Sequence, residues 1–131
     1  MRLLLDTHIF LWYIGGDMRV GANVRAAIED AEAAYLSAAS VWEATIKYQI
    51  GKLPLPEPPH PWFSVQRERH GIESLPIDEA SAAHLSKLEW HHRDPFDRIL
   101  VCQAIEYGLQ IVTVDPVLSK YPAKILTVGM A

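Results

Sequence analysis

Short apolar runs that alternate with segments of helical periodicity constrain the fold of this chain more than any other feature of its sequence. The strand candidates are Arg2–Leu5, Ala34–Leu36, Ile72–Leu75, Leu109–Val114 and Lys124–Val128. Strands that are joined by helices form right-handed crossovers and therefore run parallel. We expect an α/β fold with a central, mainly parallel sheet that is covered by helices on both faces.

The helical segments are marked by apolar residues three and four positions apart and by capping residues at their ends. They cover His8–Ile14, Asn23–Ala33, a helix within Ser37–Gly51, Trp62–His70, Asp78–Trp90 and the segment from Asp94 to Gly108. Five of the nine prolines fall in Lys52–Trp62, which predicts an extended surface connection, because proline disrupts helices and central strands. The pieces on either side are too small to fold alone, so we expect one domain spanning residues 1–131.

The helix that starts at Asp94 has the clearest boundaries. Asp94 is a preferred N-cap residue, Pro95 suits the first helical position, and Gly108 suits the position just beyond the end. Asp97 adds a second carboxylate to the first turn. Within this segment alone, a favourable interaction with the helix dipole explains Asp97.

Four acidic residues are expected at one edge of the predicted sheet. Asp6 and Asp115 each end a strand, whereas Glu43 and Asp97 lie in the predicted first turns of helices. Parallel sheets bind ligands at the carboxyl ends of their strands, so these carboxylates are candidate ligands. Each also has a structural explanation: Asp6 and Asp115 can act as N-caps, and Glu43 can complete a capping box with Ser40.

The chemistry of such a cluster favours a hard cation. Carboxylates a few ångströms apart repel one another, so one of them takes up a proton unless a cation neutralises them. Oxygen ligands suit Mg²⁺ or Mn²⁺. The single cysteine, Cys102, and six scattered histidines argue against zinc. The chain also lacks a G-x-S-x-G elbow and a phosphate-binding P-loop.

The overall charge permits a substrate that carries phosphates. The formal net charge is −4, but without the five acids named above the remaining 11 acids face 12 lysines and arginines, a net charge of +1. No apolar stretch approaches the roughly 20 residues of a membrane span, and no secretion signal is evident. We therefore expect a cytoplasmic protein without a membrane segment.

Four stretches of the sequence resemble one known family. They are LLLDTHIFLW, SAASVWEATIKYQIGKL, HHRDPFDRILVCQAIEYGLQIVTVD and the terminal ILTV. Together they resemble the PIN-domain family and, more narrowly, the VapC ribonuclease toxins of bacterial toxin–antitoxin pairs. The resemblance covers nearly the whole chain, and D-P-F-D-R followed by an L-x-I-V-T-x-D strand is a fairly specific combination.

The resemblance implies a fold, an activity and partners. It implies a PIN-like three-layer fold and an Mg²⁺-dependent endoribonuclease, with Mn²⁺ as an alternative ion. It also implies an RNA substrate, a VapB-like antitoxin and a homodimer. Carried over by position, the acidic quartet of the family falls on Asp6, Glu43, Asp97 and Asp115. The small hydroxyl residue of the family falls on Thr113, and Asp94 matches the cap of the helix.

Several other residues have a structural and a functional interpretation. Arg98 can pair with Asp94 and Asp97 or contact a phosphate. Thr7 and His8 can line the site, although a histidine in an apolar helix is more often partly buried. His91 and His92 are expected in a solvent-exposed loop. The tryptophans are expected in the core or an interface rather than as platforms for stacking bases: Trp12, Trp42, Trp62 and Trp90. Trp42 in particular shares a four-residue spacing with Ile46 and Ile50 and is expected in the core.

Two alternatives to a toxin remain at the level of sequence. One is a PIN-like nuclease that processes RNA or DNA without an antitoxin. The other is a non-catalytic receiver domain, which also gathers acids at strand ends and binds Mg²⁺. A receiver needs two adjacent acids after the first strand and a lysine after a late strand, whereas here Asp6 is followed by Thr7 and His8.

Overall fold

A parallel five-stranded sheet forms the centre of the protein. The computed structural model describes residues 1–91 and 94–128. The strands are β1 (Arg2–Leu5), β2 (Ala33–Ser37), β3 (Glu73–Leu75), β4 (Gln110–Thr113) and β5 (Lys124–Thr127). Their order across the sheet is β3-β2-β1-β4-β5, and each neighbouring pair is parallel. The strand order reverses at β1, and open α/β sheets bind ligands beside such a reversal.

Helices cover both faces of this sheet. They are α1 (Thr7–Ile14), α2 (Ala22–Asp30), α3 (Ala38–Gln49), α4 (Pro59–Arg69), α5 (Glu79–His84) and α6 (Pro95–Tyr107), with 3₁₀ turns at Leu85–Lys87 and Pro116–Lys120. Alternate residues of β1 enter different cores: Leu3 and Leu5 pack with Phe10, whereas Leu4 packs with Leu100. Burying each leucine side chain stabilises the fold by roughly 1.5–3 kcal/mol. The predicted α/β, PIN-like fold with three layers is confirmed.

The boundaries of α6 are those expected from the sequence. The Asp94 carboxylate accepts a hydrogen bond of 2.9 Å from the Phe96 amide, and Pro95 is the first helical residue. Gly108 ends the helix with φ of +65°, in the left-handed region that favours glycine. Asp97 is therefore fixed in the first turn, at the edge of the sheet where the strands end.

The predicted capping box of α3 is wrong. The N-cap is Ser37, whose Oγ accepts a hydrogen bond of 3.0 Å from the Ala39 amide. Because β2 runs directly into α3, a hydroxyl at the end of the strand reaches the first free amides of the helix. Ser40 is buried inside the helix, and its Oγ has no hydrogen-bond partner within the described residues. Glu43 lies in the second turn, not the first.

The outward face of α3 also differs from expectation. Trp42, Ile46 and Ile50 were expected in the core, but they are 58%, 37% and 59% exposed. The buried apolar positions of α3 are instead occupied by Ala39 and Ala44, whose side chains are fully buried. These small side chains lie in the two cores, and the larger apolar residues are left on the surface.

Three other helices differ from prediction at their ends. Helix α2 ends at Asp30 rather than at Ala33, which instead begins β2. Helix α4 begins at Pro59 rather than at Trp62, within the proline-rich connection. Helix α5 ends at His84, well before the predicted end at Trp90. Within the described residues, no helix is both long enough and apolar enough to cross a bilayer.

Candidate active site

A cavity of about 320 Å³ opens where β1 and β4 end and where α1 and α6 begin, with α3 along one side. We call it the acid cavity. Its described lining is Asp6, Thr7, His8, Glu43, Lys47, Asp94, Asp97, Val114 and Asp115. All four acids expected at this edge lie around the same cavity, together with the cap residue Asp94 and the predicted secondary residue Thr7.

Asp6 and Glu43 are the two buried acids of the cavity, each 7% exposed. Asp6 follows β1 directly, and its carboxylate accepts a hydrogen bond of 2.8 Å from the Ile9 amide, which makes it the N-cap of α1. Burial raises the pKa of the Asp6 carboxyl above its ordinary value, and the charge of Glu43 acts in the same direction. Hydrogen bonds from Thr113 and Ile9 oppose that rise in pKa. A cation beside Asp6 would offset the cost of this buried charge.

Thr113 links the ends of the two central strands. Its hydroxyl is fully buried, forms a side-chain hydrogen bond to Asp6, and accepts one of 3.1 Å from the Asp115 amide. The Asp115 carboxylate in turn accepts a hydrogen bond of 3.0 Å from the Val117 amide at the start of a 3₁₀ turn. One hydroxyl therefore sets the positions of two acids that are far apart in the sequence.

The Glu43 carboxylate accepts hydrogen bonds from two side chains. The Thr7 hydroxyl donates a hydrogen bond of 2.6 Å to Glu43 Oε1, and Lys47 Nζ lies 2.9 Å from Oε2. The hydrogen bond to Glu43 raises the pKa of the Lys47 ammonium, and the charges of Glu43, Asp94 and Asp97 reinforce this. Sequence analysis did not single out Lys47. The available signal was its i, i+4 spacing from Glu43, which is common on helix surfaces.

Arg98 does not pair with Asp94 or Asp97 within the described residues, and its role as a phosphate contact stays a prediction. It is only 5% exposed, and its guanidinium donates hydrogen bonds to the Glu89 carbonyl (3.0 Å) and the Tyr121 hydroxyl (3.4 Å). The guanidinium carbon also lies 4.0 Å from the centre of the Trp90 ring. Arg98 follows Asp97 in the chain but points to the segment that precedes α6.

One of the three histidines considered, His8, differs from expectation. His8, expected to be partly buried, is exposed at the rim of the acid cavity. His91 is exposed, as expected, and its Nε2 lies 2.9 Å from the Glu89 carboxylate. His92 lies outside the described residues.

The donor set fits Mg²⁺ or Mn²⁺ in chemistry, since its ligands are carboxylate and hydroxyl oxygens. The side chains are not already gathered around one point. Within residues 1–91 and 94–128, no three His, Cys, Asp or Glu side chains stand close enough together to hold an ion. Each oxygen of Glu43 accepts one hydrogen bond, from Thr7 or from Lys47, so direct coordination by Glu43 would use the remaining lone pairs.

Comparison of the chain with known proteins identifies its family and several relatives. The PIN domain family model matches residues 3–124. Ribonuclease VapC16 of Mycobacterium tuberculosis (strain ATCC 25618 / H37Rv) is 43% identical over 63 residues, which are 47% of this chain and 45% of that relative. The matched part is therefore less than half the length of that relative. Ribonuclease VapC22 of the same strain is 28% identical over 114 residues, 86% of each chain.

Solved structures show the same fold at low sequence identity. VapBC2 from Rickettsia felis, bound to a DNA fragment from its promoter, contains a chain that matches with a TM-score of 0.73 and 14% identity, over 97% of this chain and 98% of that one. DNA-bound VapBC from Salmonella typhimurium gives a TM-score of 0.70 and 18% identity, over 98% and 99% of the two chains. At these identities the likeness concerns the fold alone.

Proposed function

The chain belongs to the PIN domain family, whose model matches residues 3–124, and from that premise we propose that it is an Mg²⁺-dependent endoribonuclease. We propose further that it acts as the toxin of a toxin–antitoxin pair. The observation that carries the proposal is the meeting of Asp6, Glu43, Asp97 and Asp115 around one cavity at the strand-order reversal. Two relatives that are named VapC ribonucleases support the choice of RNA as substrate.

Asp6, Asp97 and Asp115 would hold the ion, with Glu43 binding it directly or through a water molecule. Bound Mg²⁺ or Mn²⁺ supplies Lewis-acid activation of a water and stabilises charge on the attacked phosphate. The Thr113 hydroxyl keeps Asp6 and Asp115 in fixed relative positions. Thr7 and Lys47 hold the Glu43 carboxylate at the wall of the cavity.

The products of the reaction test this mechanism. Hydrolysis by an external water leaves a 5′-phosphate and a 3′-hydroxyl, stops in EDTA and returns with Mg²⁺ or Mn²⁺. An RNA whose scissile 2′-hydroxyl is replaced by hydrogen should still be cut once it binds. A 2′,3′-cyclic phosphate, or full activity in EDTA, would rule out metal-assisted hydrolysis. Attack by the RNA's own 2′-hydroxyl commonly relies on a pair of histidines, and of the described histidines it is His8 that borders the cavity.

The proposed partners follow from the same comparisons. The Rickettsia and Salmonella structures are VapBC assemblies, so we propose a VapB-like antitoxin for this chain. A cavity lined by carboxylates suits a partner that places an arginine or lysine at its rim. We also propose a homodimer, for which the apolar surface of α3 is the candidate contact. The single domain and the cytoplasmic location expected from the sequence remain predictions.

A further inference from the structure

Trp90 is an exposed aromatic residue with a fixed support beneath it. Its side chain is 71% exposed, and the Arg98 guanidinium carbon lies 4.0 Å from the ring centre. Arg98 is almost fully buried and follows Asp97 of the acid cavity in the first turn of α6. The residue that contacts the Trp90 ring is therefore the direct neighbour in the chain of a residue of the proposed active site.

The segment around Trp90 is anchored on both sides of the ring. Arg98 donates a hydrogen bond of 3.0 Å to the Glu89 carbonyl on one side. On the other side, the His91 amide donates one of 3.1 Å to the Tyr121 hydroxyl, and the His91 ring packs edge-on against Tyr121 with 5.1 Å between ring centres. Anchors before and after Trp90 reduce the conformational freedom that a ligand would otherwise have to remove.

A second cavity, of about 400 Å³, borders the residues that anchor the segment around Trp90. Its described lining is His84, Lys87, Leu88, Glu89, His91, Lys120, Tyr121 and Pro122, and we call it the lysine cleft. His84 and His91 each lie within hydrogen-bond distance of a carboxylate, those of Glu106 and Glu89 respectively. Lys87 and Lys120 are exposed, and within the described part of the chain neither forms an ion pair. The ammonium groups of Lys87 and Lys120 are thus available to a ligand in the cleft beside the Trp90 segment.

We propose that Trp90 is a stacking platform for one base of single-stranded RNA and that the lysine cleft receives the adjoining phosphates. The proposal rests on the proposed ribonuclease function and names a contact with its substrate outside the acid cavity. An aromatic face beside a cationic groove is the combination by which proteins hold single-stranded nucleic acids without reading their sequence. Protein–protein contacts are instead depleted of lysine and glutamate, whereas the surface that adjoins Trp90 carries Glu89, Lys87 and Lys120.

The first experiment measures binding of a short single-stranded RNA, of roughly ten nucleotides, by fluorescence anisotropy in EDTA. Removing the stacking of one base weakens binding roughly 5- to 150-fold, so we expect a decrease of that size in Trp90→Ala and in Trp90→Leu. Trp90→Phe keeps a ring and should retain most of the affinity. Tyr107→Ala is the matched control, because Tyr107 is an exposed aromatic residue at the opposite end of α6.

The second experiment tests the cleft through the salt dependence of the same binding. Each phosphate that a cationic side chain neutralises on single-stranded RNA contributes about 0.7 to the slope of log affinity against log salt concentration. Replacing Lys87 and Lys120 by glutamine should lower the slope by about 0.7 for each of the two lysines that binds a phosphate. Lys52→Gln, which changes an exposed lysine beyond the far end of α3, should leave the slope unchanged.

The outcomes separate this inference from the proposed function. If the wild-type chain cuts RNA but Trp90→Ala and Trp90→Leu bind it as tightly as wild type, the platform does not exist. If the wild-type chain cuts no RNA, the proposed function fails, while the binding comparison still decides the platform. If the Trp90 variants bind RNA normally but sediment as a smaller species, the surface joins copies of the chain and the inference is overturned. Should Trp90→Ala fail to fold, Trp90→Leu against Trp90→Phe decides, since both keep a large apolar side chain.

Discussion

At the scale of single residues, Lys47 changes the electrostatics of the acid cavity. Its ammonium group lies 2.9 Å from Glu43, and the charges of Asp94 and Asp97 also act on it. A cation on a flexible side chain thus shares the space with carboxylates that are proposed to bind Mg²⁺. Lys47 and a bound metal ion would carry charge of the same sign and would compete for Glu43.

Replacing Lys47 by methionine should therefore strengthen metal binding. We expect Mn²⁺ to bind roughly fivefold more tightly, the factor that corresponds to about 1 kcal/mol for an ion pair that is partly open to solvent. Isothermal titration calorimetry measures the change. Lys52→Met is the control, because Lys52 lies outside the cavity lining. Equal Mn²⁺ affinity in wild type and Lys47→Met would show that the ammonium does not compete with the ion.

Neutralising a proposed ligand should remove activity without weakening the fold. Asp6→Asn and Asp97→Asn each delete one of several neighbouring negative charges, so we expect no RNA cleavage and a melting temperature equal to or above that of wild type. Asn keeps an oxygen that can accept the N-cap hydrogen bond from Ile9. Cleavage at near wild-type rate by Asp97→Asn would mean that the site lies elsewhere.

The site could be predicted at its aspartates, because an aspartate that acts as an N-cap is also a candidate metal ligand. Asp6, Asp94 and Asp115 are N-caps that follow strands or precede Pro, and the structure places all three carboxylates at the acid cavity. Glu43 was expected in the first turn of its helix and lies in the second, and the capping box that was its alternative explanation does not form. Lys47 was missed because a glutamate and a lysine four residues apart are usually a solvent-exposed pair, and their burial depends on tertiary packing.

At the scale of elements, strands were predicted more reliably than the faces of helices. The strand candidates were apolar runs that end at turn residues, and each has a counterpart in the sheet. The four-residue spacing of Trp42 and Ile46 in α3 predicted a core face. Periodicity shows that a helix has an apolar stripe, but it does not show whether the domain core or another surface covers that stripe. In α3 the buried apolar positions are occupied by Ala39 and Ala44, and the apolar stripe lies on the surface.

The turn after α1 offers a test of local electrostatics. Asp17 accepts hydrogen bonds from the Arg19 amide (2.9 Å) and guanidinium, which hold the pKa of Asp17 down to about 2 from an ordinary value of 3.8. A lowered pKa means that the pair favours the folded state above pH 3.8 and loses that effect as the pH falls through 2. Arg19→Gln should return the pKa towards 3.8.

An NMR titration of the Asp17 carboxyl carbon in both proteins measures this shift directly. The sodium chloride dependence is an internal control, since screening should raise the pKa in wild type more than in Arg19→Gln. A midpoint near 3.8 in the wild-type protein would contradict the hydrogen bonding described for this turn.

At the scale of the whole molecule, the exposed stripe of α3 is the surface on which two copies could meet. Trp42, Ile46 and Ile50 lie along one side of the helix, and an apolar stripe of this kind is typical of a surface that associates. If the proposed homodimer forms there, a charge in the centre of the stripe should disrupt it. We expect Ile46→Glu to sediment as a monomer at concentrations where wild type is a dimer.

Ile77 provides a control of the same residue type and the same exposure. Both isoleucines are 37% exposed, but Ile77 lies in the connection between β3 and α5 rather than on α3. Ile77→Glu should leave the sedimentation coefficient unchanged. A monomeric wild-type chain, or a dimer that survives Ile46→Glu, would remove α3 from the dimer contact.

The position of β1 between β2 and β4 has a consequence for the newly synthesised protein. Asp6 leaves the ribosome before Asp115, which follows β4, and β4 can pair with β1 only after α6 has been translated. A nascent chain that is arrested anywhere before β4 therefore carries some of the acids but cannot assemble the cavity. If the proposed function is correct, such a truncated product should be harmless to the messenger RNA that encodes it, because the acid cavity is complete only once β4 has paired with β1.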